Sequence, residues 1–150
     1  MDIVRLDNSL LSIERLVSYL QYVNNDFKIS LDKKTTLVSF VEKLLRNGVV
    51  YMAIDENGTD SAMIGFYCND EVDKVAHWSI LSTKLQARGK GYATKLILKM
   101  IEECRVVGMQ YIVCDSVNPI AVSLYKSMGF IIYDQKLDGD NLISYLRLSL

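Results

Sequence analysis

One helical segment placed between two strand-like runs limits the folds that this chain can adopt. Apolar residues recur with the 3.6-residue period from 93 to 104, and short apolar runs at Val75–Ser82 and Gln110–Cys114 flank this segment. A single helix between two strands returns the chain to the end of the sheet where the first strand began, so the two strands run parallel. The sequence therefore predicts a β-α-β unit.

The remaining segments complete an α/β pattern with a mixed sheet. Two helices come first, and the turn at Asn57-Gly58 joins two strands of an antiparallel meander. Asn118 is a good N-cap, Pro119 fits the first helical position, and Gly129 ends the helix that they begin. The expected order is a short strand, helices at Ser9–Tyr22 and Thr36–Arg46, strands at Val49–Ile54, Ala62–Cys68 and Val75–Ser82, the central helix, a strand at Gln110–Cys114, the helix after Asn118, and strands at Phe130–Lys136 and Leu142–Leu148.

Bulk properties indicate one globular domain without a nucleic-acid partner. The 150 residues suit a single domain, 1–150, and the formal net charge of −1 provides no broad basic face. The three cysteines, Cys68, Cys104 and Cys114, lack metal-type spacing and are typical of buried free thiols in a reducing compartment. No apolar run approaches the roughly 18 residues that span a bilayer, and MDIVRLDNSL does not resemble a secretory signal. We therefore expect a cytoplasmic protein that uses neither a membrane nor a metal ion.

A basic glycine turn leads directly into the central helix, and its sequence is Ala87-Arg88-Gly89-Lys90-Gly91-Tyr92-Ala93. Glycines let a ligand approach the backbone and tolerate positive φ. The first N–H groups of a helix have no internal partner, and the helix dipole adds partial positive charge there, so the turn is suited to binding phosphate. A wider basic cluster would favour one small polyanion, and it comprises Lys84, Arg88, Lys90, Lys95 and Lys99.

Two well-known phosphate loops do not match this turn. The Gly-x4-Gly-Lys-Ser/Thr pattern of Walker-type loops is missing. A Gly-x-Gly-x-x-Gly dinucleotide fingerprint fails at Thr94, and the strand before the turn is flanked by antiparallel strands. A plain surface connection and a mononucleotide-binding loop both remain alternatives.

The turn and the later helix together resemble the GNAT superfamily of acyl-CoA-dependent N-acyltransferases. Arg88-x-x-Gly91-x-Ala93 is similar to the family's pyrophosphate-binding signature, and Gln86-x-x-Gly89-x-Gly91 satisfies the same pattern two residues earlier. The Arg88 register is preferred because RGKGYATKL then matches the family's run of arginine, glycines and helix. A second motif of the family is matched by Asn118-Pro119-x-Ala121-x-x-Leu124-Tyr125-x-x-x-Gly129-Phe130, so that the resemblance covers residues 75–136.

The chain departs from the family pattern in three respects. Leu85 and Ala87 stand where a proline and an aromatic residue are frequent, which leaves the loop's register open. Val113 stands where some members carry a glutamate base. Residues 1–74 match only in the order of their elements.

The resemblance implies a single-domain fold with a mixed, mostly antiparallel central sheet, helices on both faces and one splayed parallel strand pair. Acetyl-CoA would be the co-substrate, with its pantetheine arm between the splayed strands. Tyr125 would be the catalytic acid that protonates the leaving thiolate. The implied coenzyme-binding residues are Leu81, Ser82, Thr83, Arg88, Gly89, Lys90, Gly91, Tyr92, Ala93 and Asn118.

The implied reaction is attack of a primary amine on a thioester, which needs a base as well as an acid. An alkylamine with a pKa near 10.4 is protonated at pH 7, and freeing its lone pair costs roughly 4.6 kcal/mol. His77, the sole histidine, is either a base or a structural residue of its strand, on the face of Ser79 and Leu81. Asp115 and Glu71 are weaker candidates, so no base is assigned.

Structural roles remain open for the two residues of the second motif. Without the family pattern, Tyr125 is a half-buried aromatic on the inner face of its helix, and Asn118 is a helix cap. A non-catalytic acyl-CoA-binding or regulatory module is the alternative function.

The acceptor is expected to be a primary amine of a small molecule, a peptide or a protein. The first two helices and the loop Ile29–Thr35 would form the walls of its site. Acidic residues in this region would favour a cationic acceptor or form ordinary surface, and they are Asp26, Asp32, Asp55 and Glu56. A homodimer through the last strands is left open.

Overall fold

The computed structural model describes residues 1–23 and 34–150. Asp26, Asp32 and the loop Ile29–Thr35 up to the start of the second helix lie outside the described residues. The elements in chain order are β1 Asp2–Leu6, α1 Leu10–Val23, α2 Lys34–Asn47, β2 Val49–Ile54, β3 Asp60–Tyr67, β4 Val75–Thr83, a 3-10 helix Leu85–Ala87, α3 Tyr92–Val106, β5 Tyr111–Ser116, α4 Pro119–Ser127, β6 Ile131–Asp138 and β7 Asn141–Ser149.

The strands form one mixed sheet in the order β1-β2-β3-β4-β5-β7-β6. β4 and β5 are parallel, and α3 connects them, as the β-α-β pattern requires. The pairs β1–β2, β2–β3, β5–β7 and β6–β7 are antiparallel. The predicted α/β class with a mixed, mostly antiparallel sheet is confirmed.

The chain divides into two compact units, with the boundaries inside β4 and α3. The first unit comprises Met1–Tyr67 and Ser79–Met100, and the second comprises Cys68–Trp78 and Ile101–Leu150.

Helices cover both faces of the sheet within the first unit. Met52 and Met63 pair across β2 and β3, and both are fully buried in the cluster formed with α1 and α2. Strand alternation turns Tyr51 and Phe66 to the opposite face, where their rings stack 6.2 Å apart. The Lys99 ammonium of α3 lies 5.6 Å from the Tyr51 ring centre, so α3 packs on that second face.

Gly48 is required at the junction between α2 and β2 because the backbone is crowded there. A Cβ at this position would lie 2.7 Å from the Phe66 carbonyl oxygen and 2.8 Å from that of Leu44. The helix predicted at Thr36–Arg46 ends at Asn47, one residue later, and the close approach of the backbone explains the glycine that follows.

The second unit packs α4 on one face of its strands through an aromatic cluster. The Tyr125 ring centre lies 4.5 Å from that of Trp78 and 6.2 Å from that of Phe130. Gly129 has a φ of +103°, and the N–H of Phe130 donates to the Tyr125 carbonyl at 3.1 Å, which ends the helix as predicted.

The strands of the second unit extend further than their composition predicts. β5 continues to Ser116, where it pairs with Ser144 of β7, instead of ending at Cys114. Asp138 pairs with Asn141, so β6 and β7 meet at a tight turn that contains Gly139. Ladder hydrogen bonds to β7 therefore outweigh the weak strand preference of these polar residues.

The three cysteines are free thiols. Cys68, Cys104 and Cys114 form no disulfide; Cys104 and Cys114 are buried and Cys68 is partly exposed. Over residues 1–23 and 34–150, no helix combines the length and apolarity that crossing a bilayer would demand.

Candidate active site

The glycine turn of the first unit runs from the 3-10 helix to the start of α3. Gly89 and Gly91 have φ angles of +77° and +84°, and a Cβ at either position would meet no atom within 4 Å. Backbone conformation therefore requires these glycines, and open space lies beside them. The Tyr92 side chain is buried, so that residue offers a ligand mainly its backbone.

Consecutive backbone amides of this turn lack a protein acceptor. The first helical hydrogen bond of α3 runs from the Lys95 N–H to the Gly91 carbonyl at 3.2 Å. Within the described part of the chain, no acceptor is found for the N–H groups of residues 89–94. Such amides, at the positive end of a helix dipole, bind phosphate oxygens, so the turn fits a pyrophosphate group.

Lys84, a member of the predicted basic cluster, is held by aromatic rings of α1. Its ammonium lies 4.5 Å from the Tyr22 ring centre and 5.5 Å from that of Tyr19. This cation–π contact fixes the Lys84 charge just before the turn. Lys90 and Lys95, by contrast, are exposed.

The end of β4 carries the strand residues predicted to bind the pantetheine arm. The Tyr19 hydroxyl donates to the Ser82 carbonyl at 3.1 Å, and Arg88 Nε donates to the Thr83 carbonyl at 3.4 Å. Arg88 is thereby tied back to the strand, while its backbone stays in the glycine turn.

In the second unit, the parallel strands β4 and β5 pair over three rows and then separate. The register runs from Val75–Tyr111 to His77–Val113. We call the last paired row, His77 and Val113, together with the next residues, Trp78 and Cys114, the strand fork. Side chains alternate along each strand, so His77 and Trp78 lie on opposite faces of this fork.

Tyr125 lies on the Trp78 face of the strand fork and is buried, with 8 % of its surface exposed. Burial, and to a smaller extent the nearby Cys114 thiol, raises the pKa of the phenol. Among the described residues, the hydroxyl has no hydrogen-bond partner. The phenol is therefore a neutral donor with unused hydrogen-bonding capacity.

Cys114 is the other polarisable group on this face. Burial, and then the Asp115 carboxylate, raises the pKa of its thiol to about 12. The thiolate, and not the thiol, is the effective nucleophile. Cys114 is therefore poorly suited to carry an acyl group.

Asn118 caps α4 and remains exposed. Its Oδ1 accepts the Ile120 N–H at 3.0 Å, and its own N–H donates to Ser116 Oγ at 3.1 Å. The cap role is confirmed. In the ranges that the structure describes, the side-chain NH2 has no acceptor, so the cap leaves that donor available to a ligand.

A cavity of about 510 Å³ lies in the second unit, between α4 and the β6–β7 hairpin. Its lining is Val117, Pro119, Val122, Ser123, Lys126, Ile132, Gln135, Asp140, Asn141, Leu142 and Ser144. None of the side chains predicted for the site is among them. Among the described residues, the lining shares no member with the glycine turn or the strand fork.

Comparison with protein families is consistent with this geometry. The model of the acetyltransferase (GNAT) family matches residues 16–130, which include the glycine turn, the strand fork and Tyr125. A search of curated proteins gave no significant match.

Solved structures share the fold over nearly the whole chain. A chain of the NatC complex bound to Gag peptide and CoA is 21% identical, with 100% of this chain and 99% of that chain covered and a TM-score of 0.80. A GCN5-related N-acetyltransferase from Kribbella flavida is 16% identical, with 99% of this chain and 98% of that chain covered and a TM-score of 0.77. An aminoglycoside 6'-N-acetyltransferase complexed with coenzyme A is 14% identical, with 99% of this chain and 97% of that chain covered and a TM-score of 0.80.

The family model covers most of the chain, and the residues that it spans include the glycine turn and the buried Tyr125. The chain therefore belongs to the acetyltransferase (GNAT) family and is an N-acetyltransferase that takes its acetyl group from acetyl-CoA.

Proposed function

We propose that this protein transfers the acetyl group of acetyl-CoA to a primary amine by direct attack on the thioester. The amides of residues 89–94 and the basic residues around them bind the pyrophosphate. Carbonyls of Leu81, Ser82 and Thr83 accept hydrogen bonds from the pantetheine amides, and the Asn118 amide group is a further donor to the coenzyme. The coenzyme supplies an activated acetyl group.

The observation that carries this proposal is the buried Tyr125 hydroxyl with no partner in the described chain. Leaving a buried hydrogen-bond donor without an acceptor costs about 1–3 kcal/mol. A hydroxyl at this position therefore favours a ligand atom that accepts its hydrogen bond. A leaving sulfur is such an atom, because it gains negative charge as the carbon–sulfur bond breaks. The raised pKa keeps the proton on the phenol until that charge develops.

The acceptor is a primary amine of a small molecule, a peptide or a protein. The names of similar structures span these classes: an aminoglycoside acetyltransferase, a NatC complex with a peptide, and a spermidine/spermine acetyltransferase from Vibrio cholerae. Asp55 contributes to a turn, because its Oδ1 accepts the N–H groups of Asn57 and Thr59, both at 2.9 Å. It therefore gives no support to a cationic acceptor.

Acetyl-CoA turnover with a panel of amines tests the proposal. Spermidine, an aminoglycoside and a peptide with a free N-terminus represent the three acceptor classes, and release of free CoA thiol is the readout. Thiol release with at least one amine, and the matching acetylated product by mass spectrometry, is the expected result. Calorimetry that shows CoA binding without turnover on any amine would instead support the non-catalytic acyl-CoA-binding module.

The whole chain, residues 1–150, is proposed to act as one acetyltransferase domain in the cytoplasm. β6 is an edge strand of the sheet, and its Ile131, Tyr133 and Leu137 side chains are exposed. An exposed apolar edge supports a homodimer through the last strands. Light scattering would then give twice the mass of the chain, and Tyr133→Lys would reduce it to the monomer. A monomeric wild type at micromolar concentration contradicts the dimer.

A further inference from the structure

The sole histidine lies where the parallel strands separate. His77 pairs with Val113 in the last row of the β4–β5 ladder. Its side chain is exposed, and among residues 1–23 and 34–150 it has no hydrogen-bond partner. An imidazole at this position is accessible to a reactant on its face of the strand fork.

The two faces of the strand fork carry different chemistry. Trp78 and Cys114 are buried on the face that packs against Tyr125. His77 and Val113 lie on the other face, where Val113 is half-buried and apolar. A group held between the separating strands would therefore have a phenol on one side and an imidazole on the other.

We propose that His77 is the general base that takes the proton from the acceptor amine, an assignment that rests on the proposed acetyl transfer. The bound ammonium gives one proton to an imidazole nitrogen, directly or through one water, and its freed lone pair then forms a bond to the thioester carbon. The carbon–sulfur bond breaks with its electron pair on sulfur, which accepts the phenol proton of Tyr125. The nitrogen then loses its second proton, which restores the phenol, and the imidazolium releases its proton to solvent. In total the ammonium loses two protons, one to solvent and one that replaces the proton given to sulfur.

Neighbouring groups on the same face are less suited to this role. Val113 has no titratable group. Asp115, two residues further along β5, is exposed and pairs with Tyr145, two rows beyond the end of the parallel ladder. Imidazole is the side chain that most often serves as a general base, because both of its protonation states are accessible near neutral pH.

The first experiment compares His77→Gln with Asp115→Asn in the complete protein. The amine that the wild type acetylates fastest is used beside methoxyamine, which is already unprotonated at pH 7. His77→Gln should lower kcat roughly 100-fold with the alkylamine but less than about fivefold with methoxyamine. The kcat of Asp115→Asn should stay within about threefold of wild type with both amines. The KM for acetyl-CoA should remain unchanged in both variants. An equal loss with both amines, or a loss confined to Asp115→Asn, overturns the assignment.

The second experiment moves the imidazole across the last paired row. Because His77 and Val113 are direct partners on one face, the double variant His77→Gln/Val113→His presents an imidazole from the adjacent strand. Its kcat should be at least about tenfold higher than that of His77→Gln. The kcat of His77→Gln/Val113→Gln should show no such increase. Circular dichroism and CoA calorimetry verify folding and coenzyme binding in each variant. Equal activity of the two double variants overturns the base role, and a wild type inactive on every amine contradicts the proposed function itself.

Discussion

The glycine turn and the strand fork use different parts of the polypeptide. In the turn, backbone N–H groups of residues 89–94 form the candidate site, and the Tyr92 side chain is buried away. At the fork, the chemistry that we propose belongs to the side chains of Tyr125 and His77, and the backbone only places them. A backbone site needs a specific φ but tolerates many side chains, whereas a side-chain site depends on single atoms.

This difference separates binding from catalysis in the expected mutant phenotypes. Substitutions at positive-φ glycines of the turn should change coenzyme affinity. Removal of the Tyr125 hydroxyl beside the fork should lower turnover and leave the affinity for the coenzyme unchanged.

The largest effect is expected for Gly91→Glu, which places a carboxylate beside the unpaired amides. The Kd for CoA should rise at least about 100-fold, or about 2.7 kcal/mol, through repulsion of the phosphates and loss of the open space. Calorimetry with CoA is the measurement.

Gly58→Glu is the matched control for this change. Gly58 has a φ of +79° and equally open surroundings, but it belongs to the β2–β3 turn. Both variants should lose about 1–3 kcal/mol of stability through backbone strain. Only Gly91→Glu should lose CoA binding; micromolar CoA affinity in that variant would remove the turn from the coenzyme site.

The next effect is expected for Tyr125→Phe, which deletes one oxygen and keeps the ring contacts with Trp78 and Phe130. Steady-state kinetics should show kcat lowered roughly 100-fold and the KM for acetyl-CoA within about twofold of wild type. Since the hydroxyl has no partner in the described chain, thermal unfolding should show no loss of stability.

Tyr19→Phe provides the comparison for hydroxyl deletion. Its hydroxyl donates to the Ser82 carbonyl, so this variant should lose about 1 kcal/mol of stability. An unchanged kcat in Tyr125→Phe would exclude the phenol from the mechanism, whatever the outcome at Tyr19.

The smallest effect is expected for Cys114→Ala. Its thiol, with a pKa raised to about 12, remains protonated at neutral pH and should carry no acetyl group. We expect a kcat within about twofold of wild type and about 1 kcal/mol of lost stability. Mass spectrometry of wild-type protein after incubation with acetyl-CoA should find Cys114 unmodified; an acetylated Cys114, with a tenfold loss in the variant, would replace direct attack with a covalent route.

Local signals predicted the elements and the turn well. The helix after Gly91 and the helix that Asn118 caps both depend on residues close in sequence, and both formed as expected. The ends of β5, β6 and β7 were less predictable, because polar residues such as Ser116 are drawn into the ladder by their partner strand.

The side-chain chemistry depends on contacts between distant segments. Parity along β4 assigned His77 and Trp78 to opposite faces, but it could not show that the parallel ladder ends at His77. Nor could it show that the Tyr125 ring packs on Trp78, or that Tyr19 bonds to Ser82. The roles given to these residues remain predictions for the kinetic tests.

The sequence by itself determined the glycine turn, the helix that follows it and the order of the elements, because φ preferences, caps and apolar periodicity act over a few residues. Only the tertiary structure decided the row at which two strands separate, and which side chains lie on each face of that row. The physical reason is that strand register is set by packing and hydrogen bonds between segments remote in the chain, and a shift of one residue would exchange the faces of His77 and Trp78.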